Sequence, residues 1–138
     1  MDVLIASAVF ATLVAVGLPR LTSWRAPYAV MAGSRSVAAA FRTARQKAIA
    51  RSTSYRINLN TSAQTVSIDY LNNAGTWTQF QAPTMLPGDA KFGTITPAGN
   101  AVFTAQGTLA AAVTVPITGQ GAHTKTVAVD VLGQTTIN

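Results

Sequence analysis

The chain has 138 residues, 49% of them hydrophobic and only 10% charged, with a formal net charge of +6 and no cysteine. That length supports one modest core and one domain, and the missing cysteines exclude a disulfide framework or a thiolate metal site. Acid–base material is equally sparse: one histidine, His123, four aspartates (Asp2, Asp69, Asp89, Asp130) and no glutamate. Asp69, Asp89 and Asp130 stand in or beside turn-like sequence. His123 follows Gly119-Gln120-Gly121, where a solvated loop residue is expected. With no ligands at metal spacing and no glycine-rich phosphate loop after a strand, the sequence reads as a non-enzyme without a cofactor.

The first element is Val3–Leu18, sixteen residues without a charge and without a polar stripe. A helix apolar all round needs lipid or protein on every side. At 1.5 Å per residue it spans roughly 24 Å, short of the ~30 Å hydrocarbon core of a bilayer. A secretory signal would open with positive charge and end at a small-residue cleavage site, whereas this run opens with Met1-Asp2 and continues into helical sequence. Gly17 and Pro19 mark a weak point in the helix, and Pro27 predicts a second bend before Met31. From Ser34, the spacing of Val37, Phe41, Ala44 and Ala48 predicts an amphipathic helix over 34–52. Its other faces carry Arg35, Arg42, Arg45, Lys47 and Arg51, a candidate anion or DNA face.

After Ser54 the period changes to two. Tyr55, Ile57 and Leu59 alternate with Arg56 and Asn58, and Val66, Ile68 and Tyr70 with Ser67 and Asp69, so two half-buried strands are expected. Asn72-Asn-Ala-Gly75 predicts a hairpin turn into Thr76–Phe80. Pro83, Pro87-Gly88 and Pro97-Ala-Gly99 predict a looser middle. Three late strands are expected at Ala101–Thr104, Ala111–Ile117 and Lys125–Val131. The predicted fold is α+β: a long N-terminal apolar and then amphipathic helix, kinked at Pro19 and Pro27, packed on an antiparallel β-sheet head. The predicted division is residues 1–27 as a membrane or filament helix and 28–138 as the head, with β-rich sequence over 54–138.

An apolar helix with an early acid, a Gly-x-Pro break, an amphipathic continuation and a β head resembles the type IV pilin and type II secretion pseudopilin superfamily along the whole chain. Ala44-Arg45 and Ala48-Ile49-Ala50-Arg51 resemble the helical signature of its GspH/FimT subgroup. Ala101–Thr108, containing Gly107, and Val127–Gly133 resemble that subgroup's two late strand-and-glycine signatures. The resemblance implies a subunit of a type IV pilus-like extracellular filament, or alternatively a minor pseudopilin of a type II secretion system or a FimT-like DNA-binding minor pilin. It implies assembly residues at Asp2, Gly17 and Pro19, with Asp2 in place of the family's usual glutamate and pairing with a neighbour's amino terminus.

In the superfamily that the chain resembles, processed subunits carry the acid at their fifth residue and a proline seventeen residues later, the spacing of Asp2 and Pro19, so the resemblance implies three mature residues before Met1 and a basic leader removed by a prepilin peptidase. Twenty-one residues to Leu18 would then make roughly 31 Å of helix, matching a bilayer. Implied partners are other copies of the chain, the inner membrane before assembly, and the pilus or secretion machinery, with the cell surface as destination. Arg20 and Arg25 after the apolar run favour a cytoplasmic head, which a basic leader would outweigh. The tail Gln134–Asn138 lacks the arginines of the DNA-binding pattern, so nucleic acid is the less favoured partner and a solvated helix face the more favoured one.

Overall fold

The structure, a computed structural model, describes the backbone from residue 2 to residue 138 and the side chains from Arg25 onward. One α-helix, α1 (Asp2–Arg51), is followed by eight strands: β1 (Tyr55–Asn60), β2 (Thr65–Leu71), β3 (Trp77–Met85), β4 (Lys91–Phe92), β5 (Ala101–Phe103), β6 (Val113–Thr118), β7 (Thr124–Val129) and β8 (Thr135–Ile137). The helix runs for 50 residues, about 75 Å at 1.5 Å per residue. Pro19 and Pro27 both fall inside this run, and neither ends it. The amphipathic segment expected over 34–52 is therefore the second half of α1 and not a separate helix.

Alanine-rich sequence favours the helix through this half, and its end is defined by hydrogen bonds. Ser52 turns into the left-handed region (φ 49°). Its N–H reaches Ile49 O at 3.3 Å, and Thr53 N–H reaches Ala48 O at 3.2 Å. This is a Schellman closure with serine where glycine is the usual choice. The buried stripe of α1 comprises Val30, Ser34, Val37, Ala38, Phe41, Ala44 and Ala48, recurring at three- and four-residue steps as one face of a helix must. Ser34 is tolerated there because its hydroxyl donates to Val30 O at 2.8 Å within the same helix.

The strands form two four-stranded sheets, ordered β3-β2-β1-β5 and β4-β6-β7-β8, with antiparallel neighbours throughout. The expected antiparallel head is thus built of two sheets, and the helix is packed against strands of both. Tyr55, Ile57, Ile68 and Phe103 of the first sheet and Val115, Ile117, Val127 and Val129 of the second are fully or almost fully buried with the α1 stripe. Phe41 meets Phe103 edge to face at 6.2 Å between ring centroids, and Tyr55 meets Phe80 likewise at 5.5 Å. Such pairs add about 0.5–1.5 kcal/mol beyond the burial of their area.

Three further expectations change. The hairpin strand continues through Pro83 to Met85. Proline is allowed there because β3 is the free edge of its sheet and gives up no ladder bond on that side. Two short strands, β4 and β8, lie in sequence read as loop and tail. The C-terminal residues are paired: Asn138 and Thr126 exchange backbone hydrogen bonds at 2.9 and 3.0 Å. The late strands β5, β6 and β7 stand within two residues of their expected starts and ends.

Candidate functional site

At ~100° per residue, Arg35, Arg42 and Arg45 fall within about 80° of one another on α1, whereas Lys47 and Arg51 lie about 140–180° round from Arg42. The core stripe separates the two groups, so the five basic residues do not form one continuous face. Arg35 and Arg42 are exposed on the ridge facing solvent. Lys47 and Arg51 reach the first sheet, where the Lys47 ammonium lies 5.7 Å and the Arg51 guanidinium 5.5 Å from the centre of the Phe80 ring. Contacts of this kind are worth about 0.5–1 kcal/mol each at exposed sites.

Arg45 turns the other way, and its surroundings explain three separate stretches of sequence at once. Its side chain crosses Gly107 and Gly133, both buried and both in the left-handed region, at φ +77° and +76°. A Cβ at Gly107 would stand 2.6 Å from Ile49 Cδ1 and 3.2 Å from Arg45 Cγ. A Cβ at Gly133 would stand 2.7 Å from the Gly107 carbonyl oxygen and 2.8 Å from Arg45 Cδ. The helical signature and the two strand-and-glycine signatures therefore meet at one point, where a helix lies directly on two bare backbone turns. Gly107 N–H closes the first turn on Thr104 O at 2.8 Å, and Gly133 N–H the second on Asp130 O at 2.9 Å. Arg45 Nε is buried there without a hydrogen-bond partner.

A second polar constellation was not signalled by the sequence. Asp69 lies within β2, in the strand expected from its alternation, and is nearly buried. Its Oδ2 accepts from Arg56 Nε at 2.9 Å and from Asn58 Nδ2 at 2.6 Å. The Arg56 guanidinium also lies 4.7 Å from the centre of the Trp77 ring. The alternation of β1 could place Arg56 on the outer face of the sheet, but not name Asp69 as its cross-strand partner. Arg56–Asp69 is the one ion pair among the described residues. Arg35, Arg42, Arg45, Lys47 and Arg51 have no carboxylate partner among them.

Two open clefts flank these features. One, of about 540 Å³, lies at the end of α1 between Arg51, Tyr70 and Asn72. Another, of about 600 Å³, lies between Leu59 of the first sheet and Phe92–Ile95 leading from the second. No group of three or more His, Asp or Glu side chains is placed to hold a metal ion among the described residues, and His123 is exposed. No helical stretch among the described residues is long and apolar enough to cross a membrane. The side chains of Asp2, Gly17 and Pro19, and the apolar run Val3–Leu18, lie outside the described residues.

The fold has clear counterparts among solved structures. The minor pseudopilin EpsH from the type 2 secretion system of Vibrio cholerae superposes with a TM-score of 0.66 at 13% identity, over 79% of this chain and 95% of that one. The type IV minor pilin FimU of Pseudomonas aeruginosa superposes with a TM-score of 0.63 at 17% identity, over 79% of this chain and 87% of that one. No family model matches the sequence, and no curated protein matches it. The chain has the pilin and pseudopilin fold, a likeness carried by architecture at identities too low for sequence alone.

Proposed function

We propose that this chain is a subunit of a type IV pilus-like filament or pseudopilus, held in the inner membrane by residues 1–27 before its helix joins a bundle and leaves the head, residues 28–138, outside. The observation that carries the reading is the layout of α1. The helix is about 75 Å long, the described side chains that it buries in the head begin at Ala26, and the run Val3–Leu18 ahead of them carries no charge. A surface of that kind is buried favourably by lipid or by neighbouring helices. The likeness of the head to a minor pilin and a minor pseudopilin supports the same reading.

Within it, Asp2 pairs with the amino terminus of a neighbouring subunit, because an unpaired carboxylate at membrane depth costs about 2.5–3.5 kcal/mol on insertion scales. Gly17 and Pro19 let the helix loosen locally as it packs. Electron microscopy of sheared surface material from the native cells, with mass spectrometry of the filaments, tests the proposal. The chain is expected in filaments, and Asp2→Ala is expected to reduce its incorporation. A chain confined to membranes with Asp2→Ala behaving as wild type would refute the filament role.

The net charge favours a minor subunit over a homopolymer. Each head carries net positive charge, and Asp69, the acid with the most charge-compensating contacts, is already engaged by Arg56. Copies stacked within a Debye length of about 10 Å repel unless acidic neighbours intervene. Trace abundance in filaments dominated by another subunit would support that reading. Nucleic acid is the weaker partner, because the helix cations are split between two flanks and the C-terminal residues are tied into β8.

A further inference from the structure

Three of the large apolar side chains that the head exposes gather at one corner: Ile49 (49% exposed), Val131 (47%) and Leu132 (56%). Ile49 lies over Gly107, whose carbonyl oxygen abuts Gly133, the residue after Leu132. Val131 is joined to the same corner by its carbonyl, which accepts from Leu109 N–H at 2.9 Å. The backbone under the patch is held by closed turns and by close packing of the helix, so these side chains project from a fixed base. Exposed apolar residues scattered singly need no explanation, but a cluster beside charge marks an interaction site.

The charge beside it is mainly positive, with Arg42 and Arg45 on the helix against Asp130 alone in the adjoining turn. Arg42, Arg45 and Ile49 form a stripe at steps of three and four along α1, and neither arginine has a carboxylate partner among the described residues. The acid in the neighbouring turn, Asp130, already accepts Gln134 N–H through Oδ1 at 2.7 Å. We propose that Ile49, Val131 and Leu132, flanked by Arg42 and Arg45, form a docking surface for an acidic protein segment that presents apolar side chains between its carboxylates. A second copy of this chain is the wrong occupant, because its head is itself strongly basic and like charge against like disfavours the contact. The surface belongs to the head and stands whether or not the chain polymerises.

The test uses the full chain in an uncharged detergent, with labelled synthetic peptides read by fluorescence anisotropy. One peptide carries leucine on one helical face and glutamate on the other. A second replaces the glutamates with lysine, a third replaces the leucines with serine, and a single-stranded oligonucleotide of equal negative charge serves as competitor. The Glu/Leu peptide is expected to bind at least about tenfold more tightly than either peptide twin and to weaken with salt. Leu132→Ser, Val131→Ser and Arg42→Glu should each lose most of that binding, while Arg35→Glu, two turns away on the helix, keeps it. Circular dichroism confirms that each variant is folded, and the two turn-residue variants check one another. Equal binding of the lysine twin, indifference to both apolar substitutions, or no binding would overturn the proposal. So would an oligonucleotide that binds more tightly than the peptide and ignores Leu132→Ser, since that pattern reads phosphate alone.

Discussion

The two flanks of α1 use the same residue types in opposite ways. On one, Arg45 lies against backbone, with Gly107 and Gly133 leaving no room for a β-carbon. On the other, Lys47 and Arg51 hover over the Phe80 ring at more than 5 Å, where solvent and rotamer freedom absorb a change. A basic residue thus serves as a packing element where its stem meets bare backbone and as a tolerant surface contact where its charged end meets an aromatic face. Helix periodicity cannot distinguish these uses, because the difference lies in what the facing element presents.

The sharpest way to break this contrast is Gly133→Ala, which sets a β-carbon against the Gly107 carbonyl at 2.7 Å and forces alanine into a left-handed conformation. A loss of about 2–4 kcal/mol is expected in urea unfolding of the head, and Arg45→Ala should not restore it because the clashing oxygen remains. Gly107→Ala should cost less, about 1–2 kcal/mol, since the nearest atoms belong to the Ile49 side chain. In an Ile49→Ala background the extra cost of Gly107→Ala should fall, and a double-mutant cycle measures the coupling. On the opposite flank, Phe80→Leu removes one edge-to-face contact with Tyr55 and both cation–ring contacts, and thermal unfolding should show a loss of about 1 kcal/mol. The smallest effect is expected for Lys47→Gln, at most about 0.5 kcal/mol and reduced further by salt. A Lys47→Gln loss as large as that of Gly133→Ala would erase the distinction.

Much of the head was legible because its signals are local. Alternation gave β1 and β2, the Asn72–Gly75 turn gave the hairpin, and the steps Val37, Phe41, Ala44 and Ala48 gave the buried face of the helix. What the sequence left open are relations between distant residues. The division of the strands into two sheets follows from which strands pair, which no single segment encodes. The short strands β4 and β8 carry two and three residues and draw their stability from β6 and β7. The basic residues of α1 were assigned to one outer surface, and their division depends on Phe80 standing on one side and two glycine turns on the other. Asp69 shows the same limit: its strand was foreseen, its union with Arg56 and Asn58 was not.

The site where Arg45 crosses Gly107 and Gly133 also bears on the timing of folding. The helix is made first, yet one side of its buried stripe is covered by β7 and β8, the last strands to be synthesised. Until the C-terminal residues are available, the buried face of α1 lacks part of its cover, and the nascent chain presents an apolar helix face beside an incomplete sheet. Such long-range closure is slow and leaves aggregation-prone surface exposed while it waits. Completion of the head is therefore a late event in the life of the chain, and truncating only the last strand should trap it as a species in need of a chaperone.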